Sequence, residues 1–155
     1  MPNNCKVVQI EDKRDIKLVR LLIDKYHQQG LKLGGGASKV EQYYAYECEG
    51  FIVAVAWLHG SEPYRFIAQK FNIPLDRSLF IRRITKTSPE DYLISFLNEL
   101  SLLLRQNGYE ALWTLGFPNH SNALYKKANF EEVGETNRTK NPVFVRWLNE
   151  HKSER

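Results

Sequence analysis

The stretch NHSNALYKKANF, from Asn119 to Phe130, is the part of the chain that decides its fold. It follows the strand-like run ALWTL, from Ala111 to Leu115. The pattern predicts a short helix with Tyr125 on its second turn and a sharp helix stop at Asn129. After glycine, asparagine is the residue best suited to the left-handed conformation that ends many helices. A new strand is then predicted through Phe130 to Glu135.

Length and composition indicate one globular domain over residues 1–155. A chain of 155 residues can bury a core that needs neither a disulfide nor a metal. Cys5 and Cys48 match no metal-binding spacing, so two free thiols in a reducing cytoplasm are expected. No apolar run reaches transmembrane length, and residues 1–5 lack the pattern of a signal peptide. A cytoplasmic location without a membrane partner is therefore predicted.

Hydrophobic periodicity predicts the order strand, helix, linker, three strands, helix, strand, helix, two strands. The predicted strands are Lys6 to Ile10, Tyr43 to Cys48, Phe51 to Leu58, Ser78 to Ile84, Ala111 to Leu115, the strand that starts at Phe130, and Val143 to Trp147. A first helix is predicted from Asp12 to Gln29, and an insertion from His59 to Asp76 carries one from Tyr64 to Phe71. Glu49 and Gly50 predict a hairpin turn, and the glycines at 34–36 predict a mobile linker.

The segment from Thr87 to Asp91 predicts the start of a long helix. Ser88 can cap the helix, Pro89 fits its first position, and Glu90 and Asp91 place two carboxylates in the first turn. The helix is predicted to run to about Asn107, with Gly108 ending it.

The motif around Tyr125 and the order of the elements resemble those of the GCN5-related N-acetyltransferase (GNAT) superfamily. The closing motif of that family reads approximately Leu-Tyr-x-x-x-Gly-Phe, and Leu124, Tyr125, Asn129 and Phe130 occupy these positions here. The resemblance covers nearly the whole chain and implies an α/β (α+β) fold with a mixed, mostly antiparallel sheet flanked by helices. It implies acyl transfer from acetyl-CoA, or another acyl-CoA, to an amine acceptor by direct attack in a ternary complex.

The resemblance places the pyrophosphate of CoA at the loop after the strand Ser78 to Ile84. In the family this loop reads Gln/Arg-x-x-Gly-x-Gly/Ala, whereas here threonine replaces both small residues, at Thr85 and Thr87. Threonine tolerates neither positive φ nor very close approach of a ligand to the backbone. Binding then depends on the charge of Lys86, on hydroxyl groups and on helix-start amides. The predicted cofactor-binding residues are Arg82, Arg83, Ile84, Thr85, Lys86, Thr87, Ser88, Asn119 and Asn122.

Tyr125 is predicted to protonate the departing thiolate, and packing of its ring under the sheet is the structural alternative. His120 is the predicted general base because an unperturbed histidine titrates near neutral pH, although an exposed loop residue remains the alternative. Glu47, Glu49 and His59 are weaker candidates for the base. In members of the GNAT family a bulge frees a backbone amide for the oxyanion, and the resemblance implies such a donor near Ile81 to Ile84. The four histidines show no paired spacing, so no metal site is predicted.

A second resemblance, to the Mom-like proteins of phages that modify adenine in DNA, concerns the acceptor. Their pattern has a Ser-Phe pair and later a His-x-Gly-x-x-Tyr-x-Ala-x-Asn-Phe/Trp run. Here Ser95 and Phe96 form the pair, and the segment from His120 to Phe130 resembles the run, with Asn122 in place of the glycine. This resemblance implies a nucleobase acceptor. The net charge of +4 suits both CoA and nucleic acid.

Basic and aromatic residues around the insertion suit contact with nucleic acid, although aromatic anchoring of the insertion on the sheet is the alternative. These residues are Trp57, Tyr64, Arg65, Phe66, Lys70 and Arg77. Two rival functions therefore stay open: a non-catalytic GNAT-fold protein that binds nucleic acid, and a Mom-like enzyme that uses its cofactor differently. The acceptor, the acyl chain of the donor and the choice between monomer and dimer also stay open.

Overall fold

The structure is a computed structural model, and it describes residues 4–26, 38–118 and 121–148. Its strands are β1 Cys5–Ile10, β2 Glu41–Cys48, β3 Phe51–Gly60, β4 Ser78–Lys86, β5 Ala111–Leu115, β6 Glu131–Glu135 and β7 Pro142–Trp147. Its helices are α1 Lys13–Tyr26, α2 Arg65–Lys70, α3 Leu93–Gln106 and α4 Ala123–Lys127, and a 3-10 turn at Glu62–Tyr64 precedes α2. The predicted order of elements is confirmed, while the linker glycines lie outside the described residues.

The seven strands form one sheet in the order β1-β2-β3-β4-β5-β7-β6. All neighbouring strands are antiparallel except β4 and β5, which confirms a mixed, mostly antiparallel sheet. The parallel pairing is short, because it joins only Ser78–Phe80 to Ala111–Trp113. Beyond these residues β4 and β5 part, and the sheet opens at its centre.

Alternation along the strands divides the core between the two faces of the sheet. On one face, α3 and α4 pack on side chains such as Ile81 of β4 and Leu112 of β5. On the other face, α1 packs on β2 and β3, and α2 packs on Phe80 and Trp113. None of the helices in the described ranges combines the length and the hydrophobicity that a membrane-spanning helix requires.

The hairpin turn predicted between β2 and β3 is confirmed. Glu49 has φ 54° and Gly50 has φ 82°. Two successive positive φ angles are the signature of the tight turn that matches the twist of paired strands.

The prediction of two free thiols is wrong, because Cys5 and Cys48 form a disulfide. The two residues lie directly opposite each other on β1 and β2, with Cα atoms 4.0 Å apart. They are 43 residues apart in sequence, and only the pairing of the strands brings them together. The free-thiol argument for a reducing cytoplasm is lost, and the cytoplasmic location stays a prediction.

The start predicted for the helix after β4 is also wrong, because α3 begins at Leu93 and not at Ser88. β4 continues to Lys86, and Thr87 still contacts β3: its N–H donates to the Val53 carbonyl at 2.9 Å. Its hydroxyl donates to the Ile52 carbonyl at 3.0 Å. These contacts carry the extended chain past the local helix signal, and Pro89 falls in the bend that follows.

Candidate active site between β4 and β5

A cleft of about 200 Å³ lies where β4 and β5 part. Its lining residues are Tyr64, Phe80, Ile81, Arg82, Arg83, Ile84, Thr114, Leu115, Gly116, Phe117, Tyr125 and Asn141. Ligands commonly bind where a sheet opens in this way, since the diverging strands leave a concave space. The cleft is therefore the candidate active site.

A bulge in β4 lies at the wall of this cleft. Trp57 of β3 pairs with Arg83, and the next residue, Leu58, pairs with Ile81, which leaves Arg82 without a partner on β3. A bulge of this kind disrupts the ladder of backbone hydrogen bonds. It falls within the segment where the sequence predicts an oxyanion-binding amide, and that role itself stays a prediction.

Tyr125 reaches the cleft from α4. Its ring stacks on Phe144 and meets Phe130 edge-on, each with ring centroids 5.5 Å apart. Burial raises the pKa of Tyr125 to about 12, while the hydrogen bond with Thr114 and the positive charge of Arg83 oppose this rise. The phenol therefore stays protonated at neutral pH and can act as a donor. Tyr125 lines the cleft while its ring packs on Phe130 and Phe144, so the two predicted roles are compatible.

The end of α4 fixes the position of Tyr125. The predicted helix stop is confirmed, because Asn129 has φ 65°. The Phe130 N–H donates to the Tyr125 carbonyl at 2.9 Å, and the Asn129 N–H donates to the Lys126 carbonyl at 3.3 Å. These two bonds form a Schellman motif. The sharp turn brings the ring of Phe130 back against that of Tyr125.

The loop after β5 is braced by two asparagines. Asn122, at φ 51°, accepts a hydrogen bond from the Phe117 N–H at 3.2 Å and donates one to the Phe117 carbonyl at 3.1 Å. Asn141 donates to the Gly116 carbonyl at 2.6 Å. A Cβ atom at position 116 would lie 2.6 Å from Oδ1 of Asn122, so this wall requires glycine. Sequence reasoning missed Gly116, and the role of Asn122 in cofactor binding stays a prediction.

Only some of the predicted cofactor residues meet at the cleft, namely Arg82, Arg83 and Ile84. Thr85 and Lys86 lie further along β4, opposite Val55 and Ala54 of β3. Thr87 has its amide engaged by β3, and the Ser88 hydroxyl donates to the Glu90 carbonyl at 3.2 Å. Asn119 and the predicted base His120 lie outside the described residues, so their roles stay predictions.

The weaker candidates for the base lie in other places. Glu47 and Glu49 belong to the hairpin of β2 and β3 and do not line the cleft. His59 is buried beside Tyr64, with ring centroids 6.2 Å apart. Burial is the main cause that lowers the pKa of His59, and its Nδ1 lies 2.6 Å from the Gly60 carbonyl oxygen.

A buried arginine and a tyrosine meet at the wall that faces α2. Nη1 of Arg82 donates a hydrogen bond to the Tyr64 hydroxyl, and the guanidinium lies 5.8 Å from the centre of the Tyr64 ring. Arg83 donates from Nη1 to the Arg82 carbonyl at 2.7 Å. Burial and the charge of Arg82 lower the pKa of Arg83. No local pattern predicts the contact between Arg82 and Tyr64, because 18 residues separate them.

The start of α3 is covered by carboxylates of the chain itself. Oδ1 of Asp91 accepts a hydrogen bond from the Leu93 N–H at 3.0 Å. Glu90 accepts one from the Tyr92 hydroxyl at 2.8 Å. Negative charge at a helix start stabilises the helix, and it also opposes the binding of a phosphate there.

In the part of the chain that the structure describes, no group of three or more His, Cys, Asp or Glu side chains is placed to hold a metal ion.

A close relative is found by sequence comparison, although a scan against protein-family models finds no match. Uncharacterized protein 154 of Sulfolobus islandicus rod-shaped virus 1 is 55% identical over 153 residues. The similarity covers 96% of this chain and 99% of that protein. The two chains thus correspond along nearly their whole lengths.

Solved structures share the architecture. AAC(6')-Ib in complex with ribostamycin and coenzyme A has a TM-score of 0.67 at 13% identity, over 97% of both chains. The ribosomal-protein-S18-alanine N-acetyltransferase of Escherichia coli has a TM-score of 0.58 at 14% identity, over 91% of this chain and 90% of that one. The AHL synthase LasI has a TM-score of 0.64 at 10% identity, over 96% and 92% of the chains.

At such low identity these likenesses establish the fold alone. The high identity to the viral protein, by contrast, establishes common family membership. The chain therefore belongs to the family of protein 154 of Sulfolobus islandicus rod-shaped virus 1, and it has the GNAT fold.

Proposed function

We propose that this protein is an N-acyltransferase that transfers an acetyl or related acyl group from acyl-CoA to an amine acceptor within a ternary complex. The observation that carries the proposal is the cleft between β4 and β5, which is lined both by Arg82 at the bulge and by Tyr125. A neighbour with the same fold was solved in complex with coenzyme A, which supports this choice of donor.

In this reaction the amine attacks the thioester carbon, and CoA leaves as a thiolate. A backbone N–H at the bulge would donate to the developing oxyanion from a fixed position, which is a large source of transition-state stabilisation. Tyr125, protonated at neutral pH, would donate its proton to the thiolate. The amine loses its own proton to a base, for which His120 or an intervening water is the proposal.

The acyl-CoA would lie along the α3 side of the opened sheet. Ile84 faces that side, and the charge of Lys86, which lies opposite Ala54 of the same cluster, is proposed to contact the pyrophosphate together with the first turn of α3. Asp91 already accepts a hydrogen bond at this turn, so the pyrophosphate must bind beside a carboxylate. A weaker affinity than a glycine-rich loop provides is therefore expected.

The acceptor class that the Mom-like resemblance suggests is a nucleobase. The formal net charge of +4 supports attraction to a polyanion that would carry such a base. In a variant of this proposal the acceptor is still a nucleobase but the donor is not used as in acyl transfer from acyl-CoA. The protein would then be a Mom-like enzyme with a different use of its cofactor.

A second candidate function is binding of nucleic acid without catalysis. It is favoured by two features that disfavour a pyrophosphate. The Thr87 N–H already donates to the Val53 carbonyl, and the Asp91 carboxylate lies at the start of α3. It is also favoured by α2, which presents Arg65 beside Phe66, an aromatic side chain that is 75% exposed. Lys70, at the end of the same helix, lies over the ring of Phe71. Stacking of bases on such a side chain, with basic residues beside it, is a common way to hold single strands.

Calorimetry with CoA, acetyl-CoA and a short single-stranded DNA separates the two functions. The acyltransferase proposal predicts micromolar binding of both CoA compounds, which Tyr125→Phe preserves and moderate salt weakens only slightly. Tyr109→Phe is the matched control, because Tyr109 does not line the cleft. Failure to bind either CoA compound would contradict the proposal. DNA binding that falls steeply with salt would then favour the second candidate.

A further inference from the structure

A buried guanidinium at the cleft has an unpaired donor. Arg82 is only 6% exposed, and among the residues that the structure describes its Nε finds no hydrogen-bond partner. Across the ranges that the structure describes, Arg82 joins no ion pair, and its hydrogen-bond partner is the neutral hydroxyl of Tyr64. A buried charge is costly unless a group of opposite charge accompanies it. A ligand that brings negative charge would supply what the protein does not.

The charges around Arg82 favour an anion. Arg83 is the next residue, and the two positive charges reinforce each other at one wall of the cleft. Glu41 and Glu62 act on the neighbouring His59, yet neither forms an ion pair with Arg82 in the described part of the chain. A low-dielectric wall with two cations concentrates the field in the cleft.

The contact with Tyr64 places the head of Arg82 on the face of the sheet opposite to α3. Tyr64 belongs to the 3-10 turn before α2 and packs on Phe80, with ring centroids 4.8 Å apart. Phe80 belongs to the cluster under α2, whereas the neighbouring Ile81 belongs to the cluster under α3. If acyl-CoA lies on the α3 side, Arg82 faces the side from which the acceptor enters.

We propose that Arg82, oriented by Tyr64, binds a carboxylate or phosphate group of the acceptor, so that the acceptor is an amine with an anionic group. Arginine suits this task because its planar fork matches both oxyanions. With Nη1 engaged by Tyr64, the edge that includes Nε remains for the ligand. Assignment of the anion to the acceptor rests on the proposed acyl transfer, whereas the anion site itself does not.

The test measures binding of inorganic phosphate and of acetate by NMR titration, with and without saturating CoA. We expect the intact protein to bind at least one of the two anions, and Arg82→Gln to weaken that binding at least ten-fold. Arg65→Gln should change it less than two-fold, because Arg65 is exposed and does not line the cleft. Saturating CoA should leave the affinity for the anion within two-fold. The anion that binds more tightly then identifies the anionic group of the acceptor: a carboxylate if it is acetate, a phosphate group if it is phosphate.

The inference is overturned if Arg82→Gln binds the anions as the intact protein does, or if CoA displaces the anion completely. Tyr64→Phe replaces Arg82→Gln as the test if that variant fails to fold: it should weaken anion binding several-fold, and unchanged binding would overturn the inference. If CoA does not bind while phosphate binds in an Arg82-dependent manner, the acyltransferase proposal fails and the anion site stands. If CoA binds but no Arg82-dependent anion site is found, the anion site fails and the acyltransferase proposal stands.

Discussion

The Thr114 hydroxyl donates a hydrogen bond of 3.0 Å to the Ile81 carbonyl, at the first residues of β4 and β5 beyond their backbone pairing. This bond links the two strands where they begin to part. Thr114 also lies near enough to the Tyr125 hydroxyl to oppose the rise in its pKa. One side chain therefore connects the opening of the sheet to the proposed proton donor.

Replacement of Tyr125 by phenylalanine should lower kcat by about 10²- to 10⁴-fold, which is the usual contribution of a positioned proton donor. The affinity for CoA should change less than about two-fold, because the ring keeps its packing on Phe144 and Phe130. Thiol release with an amine acceptor found by screening gives kcat, and calorimetry gives the affinity. Tyr109→Phe should match the unchanged protein in both. Full kcat in Tyr125→Phe would remove the proton-donor role.

Stability should fall as the pH drops from 7 to 5, in part because of His59. Burial lowers the pKa of His59 below 6.5, so the unfolded chain takes up a proton at a higher pH than the folded protein does. The free energy of unfolding therefore decreases as the pH falls through the unfolded pKa. His59→Asn retains a donor for the Gly60 carbonyl and should show a shallower decrease. Urea denaturation at pH 7, 6 and 5 gives the free energy of unfolding of both proteins. An equal decrease with falling pH in the two would contradict this role of His59.

Removal of the disulfide by Cys5→Ser with Cys48→Ser should lower the free energy of unfolding by about 2 to 4 kcal/mol, as expected for closure of a loop of this length. β1 should lose its structure first, because it is an edge strand that pairs with β2 alone among the described strands. Denaturant titration measures the change. As a control, alkylation of the unchanged protein, denatured but not reduced, should label neither Cys5 nor Cys48. Labelling of both would show that the disulfide is absent.

Asp91→Asn should raise the affinity for CoA about two- to five-fold at low salt, because it removes a negative charge beside the first turn of α3. Asparagine can still accept the hydrogen bond from the Leu93 N–H, so the helix start is preserved. Asp76→Asn is the matched control, since Asp76 lies before the other end of β4. Calorimetry measures both variants. An equal gain in the control, or none in Asp91→Asn, would mean that no phosphate binds at this turn.

Features encoded by adjacent residues could be predicted from the sequence. The turn at Glu49 and Gly50 and the helix stop at Asn129 depend on the left-handed conformation, which few residue types favour. The sequence likewise predicted a long helix ending near Asn107, and α3 ends at Gln106. The family resemblance then supplied the mixed, mostly antiparallel character of the sheet around these elements.

Features that depend on pairing between distant segments could not be predicted. The helix signal at Ser88 is overridden because Thr87 remains bonded to β3. The disulfide arises from the register of β1 on β2. A bulge near Ile81 to Ile84 was expected only from the family resemblance, and its position at Arg82 follows from the register of β4 on β3. None of these contacts leaves a periodic or compositional trace in the sequence, so local reasoning has nothing to detect.

The most direct test of the proposed acyl transfer is a crystal structure of the protein with CoA. We expect the pantetheine arm to lie between the parted ends of β4 and β5, with its sulfur within about 4 Å of the Tyr125 hydroxyl, close enough for proton transfer. The phosphates should lie on the α3 side, leaving Arg82 and Tyr64 accessible to the acceptor. A cleft that stays empty at saturating CoA, or CoA bound elsewhere on the surface, would contradict acyl transfer at this site.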